Sequence, residues 1–193
     1  DDYLARRFSY PVYTQLKGAE LYQNKTTRKY SRMEFHEHPE LYECKFLPYA
    51  AQTDILMNGV YWDKTVPRLF EKEDAKSDNF IIQTIADITD DENGSVLINV
   101  GDQTIEDPVY GIDKTTLKKT APYIDNSIDI MAVGNLPNEL PRDASRYFGE
   151  QLIKYVLEDL IKNGSAIIER ATMAKDGKLT EPYSYLQDYA NGN

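Results

Sequence analysis

Carboxylates are the side chains most plainly placed for chemistry. Asp87 closes the apolar run Phe80 to Asp87 (FIIQTIAD) and is followed by Thr89, Asp90 and Asp91, so polar groups gather where a buried strand stops. A carboxylate fixed at a strand end can accept hydrogen bonds from ligand hydroxyls. The acidic run Asp87, Asp90, Asp91, Glu92 could bind a cation, but it lacks the Asp-x-Asp-x-Asp-Gly ladder of a calcium loop and reads as solvated, leaving Asp87, fixed at its strand end, as the one site candidate. His36 and His38 flank Glu37, but no further ligand follows at metal spacing, and a surface helix entry before Pro39 accounts for them. No metal site is expected. Cys44 sits inside the aromatic-rich segment Phe35 to Tyr49 (FHEHPELYECKFLPY), where a thiol is expected to be buried and inert. No serine occupies a G-x-S-x-G elbow, so hydrolase chemistry has no foothold. The ten glycines form neither G-x-G-x-x-G nor a P-loop, and nothing can cradle a diphosphate by the usual loop-to-helix geometry.

Three apolar runs must carry these polar ends. Asp54-Ile55-Leu56-Met57, stopping at Asn58-Gly59, reads as a strand buried on both faces of a parallel sheet; Phe80 to Ile88 reads as a second and Ile128 to Val133 as a third. Ligands of such sheets sit beyond the carboxyl ends of the strands, which directs attention to Gly59–Tyr61, Asp87–Thr89 and Gly134–Leu136. Around these, alternation in Pro11 to Lys17 (PVYTQLK) predicts a strand stopped by Gly18, and Gln23 to Arg32 reads as loop. Leu41, Tyr42 and Phe46 would share one face of a short helix after Pro39, and Thr65 to Asp74, with Pro67 near its start, predicts another. Ser95 to Asn99 and Pro108 to Tyr110 read as short strands. The clearest helix spans residues 141–162, with Pro141 in its first turn, Ala144, Tyr147, Phe148, Leu152, Tyr155, Val156 and Leu160 at helical spacing, and Asn163-Gly164 at its end. Ala166 to Met173 carries a further helical pattern, and Thr180-Glu181-Pro182 opens a last short one. Buried strands alternating with helices indicate an α/β fold.

Composition narrows the functions. The 193 residues, 41% of them hydrophobic, suffice for one sizeable core, or one domain with an appendage. Thirty-two acidic residues against twenty-two basic ones leave a formal net charge of −10, which repels nucleic acid. A single cysteine excludes an intrachain disulfide and paired-cysteine zinc or redox motifs, and suits a reducing cytoplasm. No apolar run reaches the length of a membrane span, and residues 1–10 lack the features of a signal peptide. Opening on Asp1, the chain reads as processed or as a fragment. The Asn-x-Ser/Thr triplets at Asn24, Asn93 and Asn163 carry no functional weight without a secretory signal.

Five ordered segments resemble one enzyme family. HPELY (His38 to Tyr42), ILMNGVYWDKTVPRL (Ile55 to Leu69), IADITDDENGS (Ile85 to Ser95), TIEDPVY (Thr104 to Tyr110) and NLPNELPRDASRYFGEQL (Asn135 to Leu152) resemble the lysine-2-oxoglutarate reductase and lysine-forming saccharopine dehydrogenase branch of the alanine dehydrogenase and transhydrogenase superfamily. The closing LTEPYSYL (Leu179 to Leu186) is similar to the end of these enzymes. The resemblance implies an incomplete Rossmann-like parallel sheet, with helices on both faces, that enters at the family's second strand. It divides the chain into a partial nucleotide-binding domain, 1–140, and a C-terminal helical segment, 141–193, that would pack on an N-terminal substrate domain absent from this sequence. It also implies NAD or NADP as cofactor and an amino acid as substrate. Carried over, Tyr61 with its neighbour Val60 borders the adenosine side, Ala86 and Asp87 lie near the nicotinamide ribose, and Val133, Gly134, Asn135 and Leu136 form the loop over the nicotinamide. Many members place Asp where this chain has Gly134. The family's acid and base, a Lys and a His, belong to the N-terminal domain, so no catalytic residue is expected here.

The leading reading is thus the nucleotide-binding part of an oxidoreductase interconverting saccharopine with lysine and 2-oxoglutarate, inactive as this fragment. An alanine-dehydrogenase-like enzyme and a non-catalytic binding or interaction module are the alternatives. The strand at 11–17 would leave an open sheet edge, from which a homodimer is expected.

Overall fold

The computed structural model describes residues 8–60, 62–162 and 164–192. Contacts within the chain group it into two compact units, Asp1–Gly134 and Asn135–Asn193.

The first unit is built on β3 (Ile55–Asn58), β4 (Thr84–Asp87), β5 (Val109–Asp113), β6 (Lys119–Thr120) and β7 (Ser127–Met131), in the order β3-β4-β7-β5-β6. β4 runs parallel to both β3 and β7, whereas β5 is antiparallel to β7 and β6. The α/β class matches the sequence reading, and the sheet is open and mixed: the parallel half, β3-β4-β7, continues into an antiparallel half. Ile85 of β4, Ile112 of β5 and Ile128 and Ile130 of β7 are fully buried. Such branched side chains suit a pleated interior, and burying each contributes about 1.5–3 kcal/mol. β3 differs from expectation. With β4 as its one partner it is an edge strand, and Ile55 and Met57 are 64% and 74% exposed.

A smaller antiparallel pair, β1 (Tyr22–Asn24) and β2 (Tyr42–Cys44), follows the single helical turn α1 (Gly18–Leu21). Helix α2 (Arg32–Glu37), N-capped by the Ser31 hydroxyl, packs an aromatic cluster onto this pair: Phe35 stacks on Tyr22 at 4.6 Å and meets the edge of Tyr42 at 5.1 Å. The one helix expected to carry Leu41, Tyr42 and Phe46 is instead three elements. α2 stops ahead of Pro39, which disfavours helical backbone in the residue before it; Pro39–Leu41 is a 3-10 turn; Tyr42 enters β2, with α3 (Leu47–Ala50) beyond.

Three further expectations fail. Residues 11–17 form no strand, and Tyr13 is 94% exposed. No described strand pairs with this segment, so its alternating pattern never acquires a hydrogen-bond ladder. The open edges of the sheet are those of β3 and β6, not the edge on which a dimer was expected. Thr65 to Asp74 forms turns, because the Asp63 carboxylate accepts bonds from the Thr65 amide (2.7 Å) and hydroxyl (2.6 Å), a local arrangement that competes with a helix. Ser95–Asn99 is likewise a tight turn, closed by the Asn99 amide on the Val96 carbonyl (3.0 Å).

In the second unit, α4 (Pro141–Leu152) runs through a π-helical stretch, Ile153–Leu157, into α5 (Glu158–Ile161), as the sequence pattern over 141–162 predicts. α6 (Ala166–Ala171) is capped by Ser165. β8 (Ala174–Lys175) and β9 (Lys178–Leu179) form a hairpin whose turn places Asp176 and Gly177 at positive φ, the conformation that matches strand twist. A 3-10 segment, Glu181–Leu186, and α7 (Gln187–Ala190) follow. No described residue of this unit is buried, and the apolar stripe of α4 and α5, including Phe148, Tyr155 and Leu160, is exposed.

Candidate functional site

The parallel half of the sheet brings Asn58 and Asp87 side by side, as register partners at the last positions of β3 and β4. Both are 1% exposed. Asp87 Oδ1 accepts hydrogen bonds from Asn58 Nδ2 (2.8 Å) and the Thr89 hydroxyl (2.7 Å), and Oδ2 accepts one from Asn99 Nδ2 (2.8 Å). Asn58 Nδ2 also donates to Ser95 Oγ at 2.7 Å. Among the described residues no lysine, arginine or histidine makes an ion pair with Asp87. Hydrogen bonds from Asn58, Thr89 and Asn99 satisfy both oxygens of this buried carboxyl group.

The network extends through Asn99, whose Oδ1 accepts from the Tyr110 hydroxyl (2.8 Å) and from the Gly101 amide (2.9 Å). Tyr110 in turn accepts from the Val100 amide at 3.0 Å. Burial foremost, with nearby Asp87, Asp90 and Glu92 adding to it, pushes the Tyr110 hydroxyl up to about 12. It therefore stays a donor at neutral pH. Gly101 has φ +123°, a conformation that a side chain strains. The chain turns there, and Gln103 then donates its amide to the Ala132 carbonyl (2.7 Å) and bridges Val133.

That return path carries Asp102 to the end of β7. A Cβ on Gly134 would lie 3.0 Å from Asp90 Oδ2 and 3.2 Å from Asp102 Oδ2, so the space beside this glycine is taken by two carboxylates. Asp90 Oδ1 is buried and meets no donor. Burial first, then the negative charges of Asp102, Asp87 and Asp91, hold the Asp90 carboxyl above the usual carboxylate range.

The residues singled out from sequence fall as follows. Tyr61 lies outside the described residues; its neighbour Val60 is half-buried, with its amide 3.4 Å from Asn58 Oδ1. Ala86 is a half-buried residue of β4 paired with Met57 and Met131. Asp87 is the buried hub. Val133 is buried and Gly134 half-buried beyond β7. Asn135 is exposed in the left-handed region (φ 54°) and precedes the 3-10 turn Leu136–Glu139, which opens on half-buried Leu136. Asn58, Ser95, Asn99, Tyr110, Asp90 and Asp102 escaped sequence reasoning as site-forming groups. The available signal was polar residues inside apolar runs, Asn58 in ILMN and Asn99 in SVLIN. Elsewhere, His38 Nδ1 faces Glu40 Oε1 at 3.3 Å on the exposed surface, and burial pushes the half-buried Cys44 thiol up, away from thiolate reactivity. No group of three or more His, Cys, Asp or Glu side chains among the described residues is arranged to hold a metal ion. No helix among them is long and apolar enough to cross a membrane.

No family model matches the chain. Individual relatives do. The mitochondrial alpha-aminoadipic semialdehyde synthase of Mus musculus is 30% identical over 84% of the chain and 20% of its own length. The synthase of Arabidopsis thaliana is 27% identical over 86% of the chain and 16% of its length, and the NAD(+), L-lysine-forming saccharopine dehydrogenase of Candida albicans is 28% identical over 64% of the chain and 31% of its length. The chain is a homologue of the saccharopine dehydrogenase branch. It spans about a fifth of the length of the synthases it matches. Its open α/β sheet supplies the strand ends just described.

Proposed function

We propose that the chain is the nucleotide-binding part of an NAD(P)-dependent oxidoreductase of the saccharopine dehydrogenase type, acting on a secondary amine formed from lysine and 2-oxoglutarate. The observation that carries this reading is the alignment of three parallel strands, β3, β4 and β7, which end at Asn58, Asp87 and Met131 with Gly134 just beyond, since open α/β sheets take their ligands outside the carboxyl ends of their strands. Carried over from the family, Val60 would border the adenosine side with Tyr61, Ala86 would lie near the nicotinamide ribose, and Val133 and Gly134, followed in sequence by Asn135 and Leu136, would belong to the loop over the nicotinamide. The sequence has no glycine loop for a diphosphate, so the phosphate floor would come from elsewhere in a longer protein. When bound, the dinucleotide supplies the hydride chemistry and the protein the orientation. Residues 1–140 and 141–193 then serve as partial nucleotide domain and returning helical segment, the latter offering its exposed apolar stripe to a substrate domain.

The relatives' printed names support this reading: one names saccharopine and NAD(+). Others are named as mitochondrial, against the cytoplasm that composition suggests; import of the longer protein into isolated mitochondria separates the two. In the longer protein, we expect turnover of saccharopine with NAD(P) and none of alanine. Turnover of alanine alone would favour the alanine-dehydrogenase reading. A non-catalytic module is the second reading, favoured by the missing diphosphate loop. Titration of the 193-residue chain with NADH and NADPH should give binding no tighter than millimolar; micromolar binding would overturn the incomplete-site account.

A further inference from the structure

We propose that Asp87 is a positioning residue: through Asn99 it sets the Gly101–Gln103 turn, and so the shape of the Val133–Gly134 strand end that the proposed cofactor would meet. The reading of Gly134 as cofactor-facing rests on the function proposed above. The link from Asp87 to Gly134 does not. Asp87 and Asn99 are 1% and 0% exposed, so neither side chain is open to a ligand in this structure. Asp87 Oδ2 orients the Asn99 amide by accepting from Nδ2, which leaves Asn99 Oδ1 facing Tyr110 and the Gly101 amide. Gly101, at φ +123°, passes the chain to Asp102, whose Oδ2 reaches the space beside Gly134, and Gln103 ties the turn to β7 at Ala132 and Val133.

Hydrogen-bond polarity makes this path testable. If residue 87 were an amide, its Nδ2 would face the Nδ2 of either Asn58 or Asn99. Rotating Asn99 to repair that would point its Nδ2 at the Gly101 amide. Rotating Asn58 instead would turn its Nδ2 toward the Val60 amide that its Oδ1 now faces at 3.4 Å, so two amides at 87 and 99 cannot satisfy every partner of the network. Exchanging the pair can: with Asp87→Asn and Asn99→Asp together, residue 87 donates to residue 99, and both Tyr110 and Gly101 still meet an oxygen. Asn99→Asp alone sets two buried carboxylates against each other, a strain that one proton relieves.

The experiment compares the wild-type chain, D87N, N99D and the double variant, reading thermal midpoints and the amide NMR signals of Gly101 and Gly134. D87N should lower the midpoint by about 5 °C or more, as an unsatisfied buried donor does, and move both glycine signals. N99D should recover stability as pH is lowered. The double variant should bring both glycine signals back towards wild type. If Gly134 stays put in D87N while stability falls, or if the double variant restores neither signal, the proposal is overturned. Should D87N fail to fold, the double variant decides: folded with a wild-type Gly134 signal it supports the path, unfolded it refutes it. Adding millimolar NADH to the wild type, with the Gly134 signal as readout, tests the cofactor reading separately.

Discussion

Asp90 Oδ1 is a buried acceptor with no donor, beside the charges of Asp102, Asp87 and Asp91. An acid whose pKa is raised on folding stabilises the fold while protonated, and that contribution is lost as pH rises through the raised value. The chain should therefore lose part of its stability between the ordinary aspartate range and the raised one. Asp90→Asn should abolish that slope, which thermal midpoints measured across pH for both proteins will show; an unchanged slope would assign it to another group. Tyr110 makes a second case. Its hydroxyl donates to Asn99 and accepts from Val100, so Tyr110→Phe takes one of two donors from the buried Asn99 Oδ1, leaves the Val100 amide without this acceptor, and should cost about 1–3 kcal/mol in urea unfolding. Sequence pattern located Asp87 as a strand-end carboxylate. That it is enclosed by Asn58, Thr89 and Asn99 depends on residues brought together across the sheet.

Among the elements, legibility tracked whether local pattern and tertiary partner agreed. β4 and β7 were readable because their apolar residues are buried by neighbours on both sides: Ile130→Ala should cost about 2–5 kcal/mol. The segment 11–17 has the alternation of a strand but no pairing strand among the described residues, and exposed Tyr13→Ser should change stability by no more than about 0.5 kcal/mol. A loss as large as that of Ile130→Ala would mean that residues 11–17 pair in solution. Residues 35–49 misled in the opposite sense. Leu41, Tyr42 and Phe46 are spaced for a helix, yet Pro39 interrupts it and the pairing of Tyr42 with Asn24 captures the chain as a strand. The helix at 141–162 was legible from its own sequence, since Pro141 starts it and its apolar spacing needs no partner to be recognised.

The two units differ in what holds them. Among the described residues, the unit ending at Gly134 contains all the buried apolar side chains and the unit from Asn135 has none. Truncation after Gly134 should accordingly leave a cooperatively folding protein, with its thermal midpoint within about 3 °C of the longer chain. A non-cooperative melt would show that residues 135–193 contribute to the core. Composition, the three apolar strands, the long C-terminal helix and the kinship with the saccharopine dehydrogenase branch were all present in the linear order of residues, because periodicity and motif spacing are local properties. The edge position of β3, the antiparallel continuation through β5 and β6, and the meeting of Asp90, Asp102 and Gly134 were decided by tertiary structure. Each depends on which strand finds which neighbour, and a hydrogen-bond ladder or a shared cleft has no counterpart within a single segment of chain.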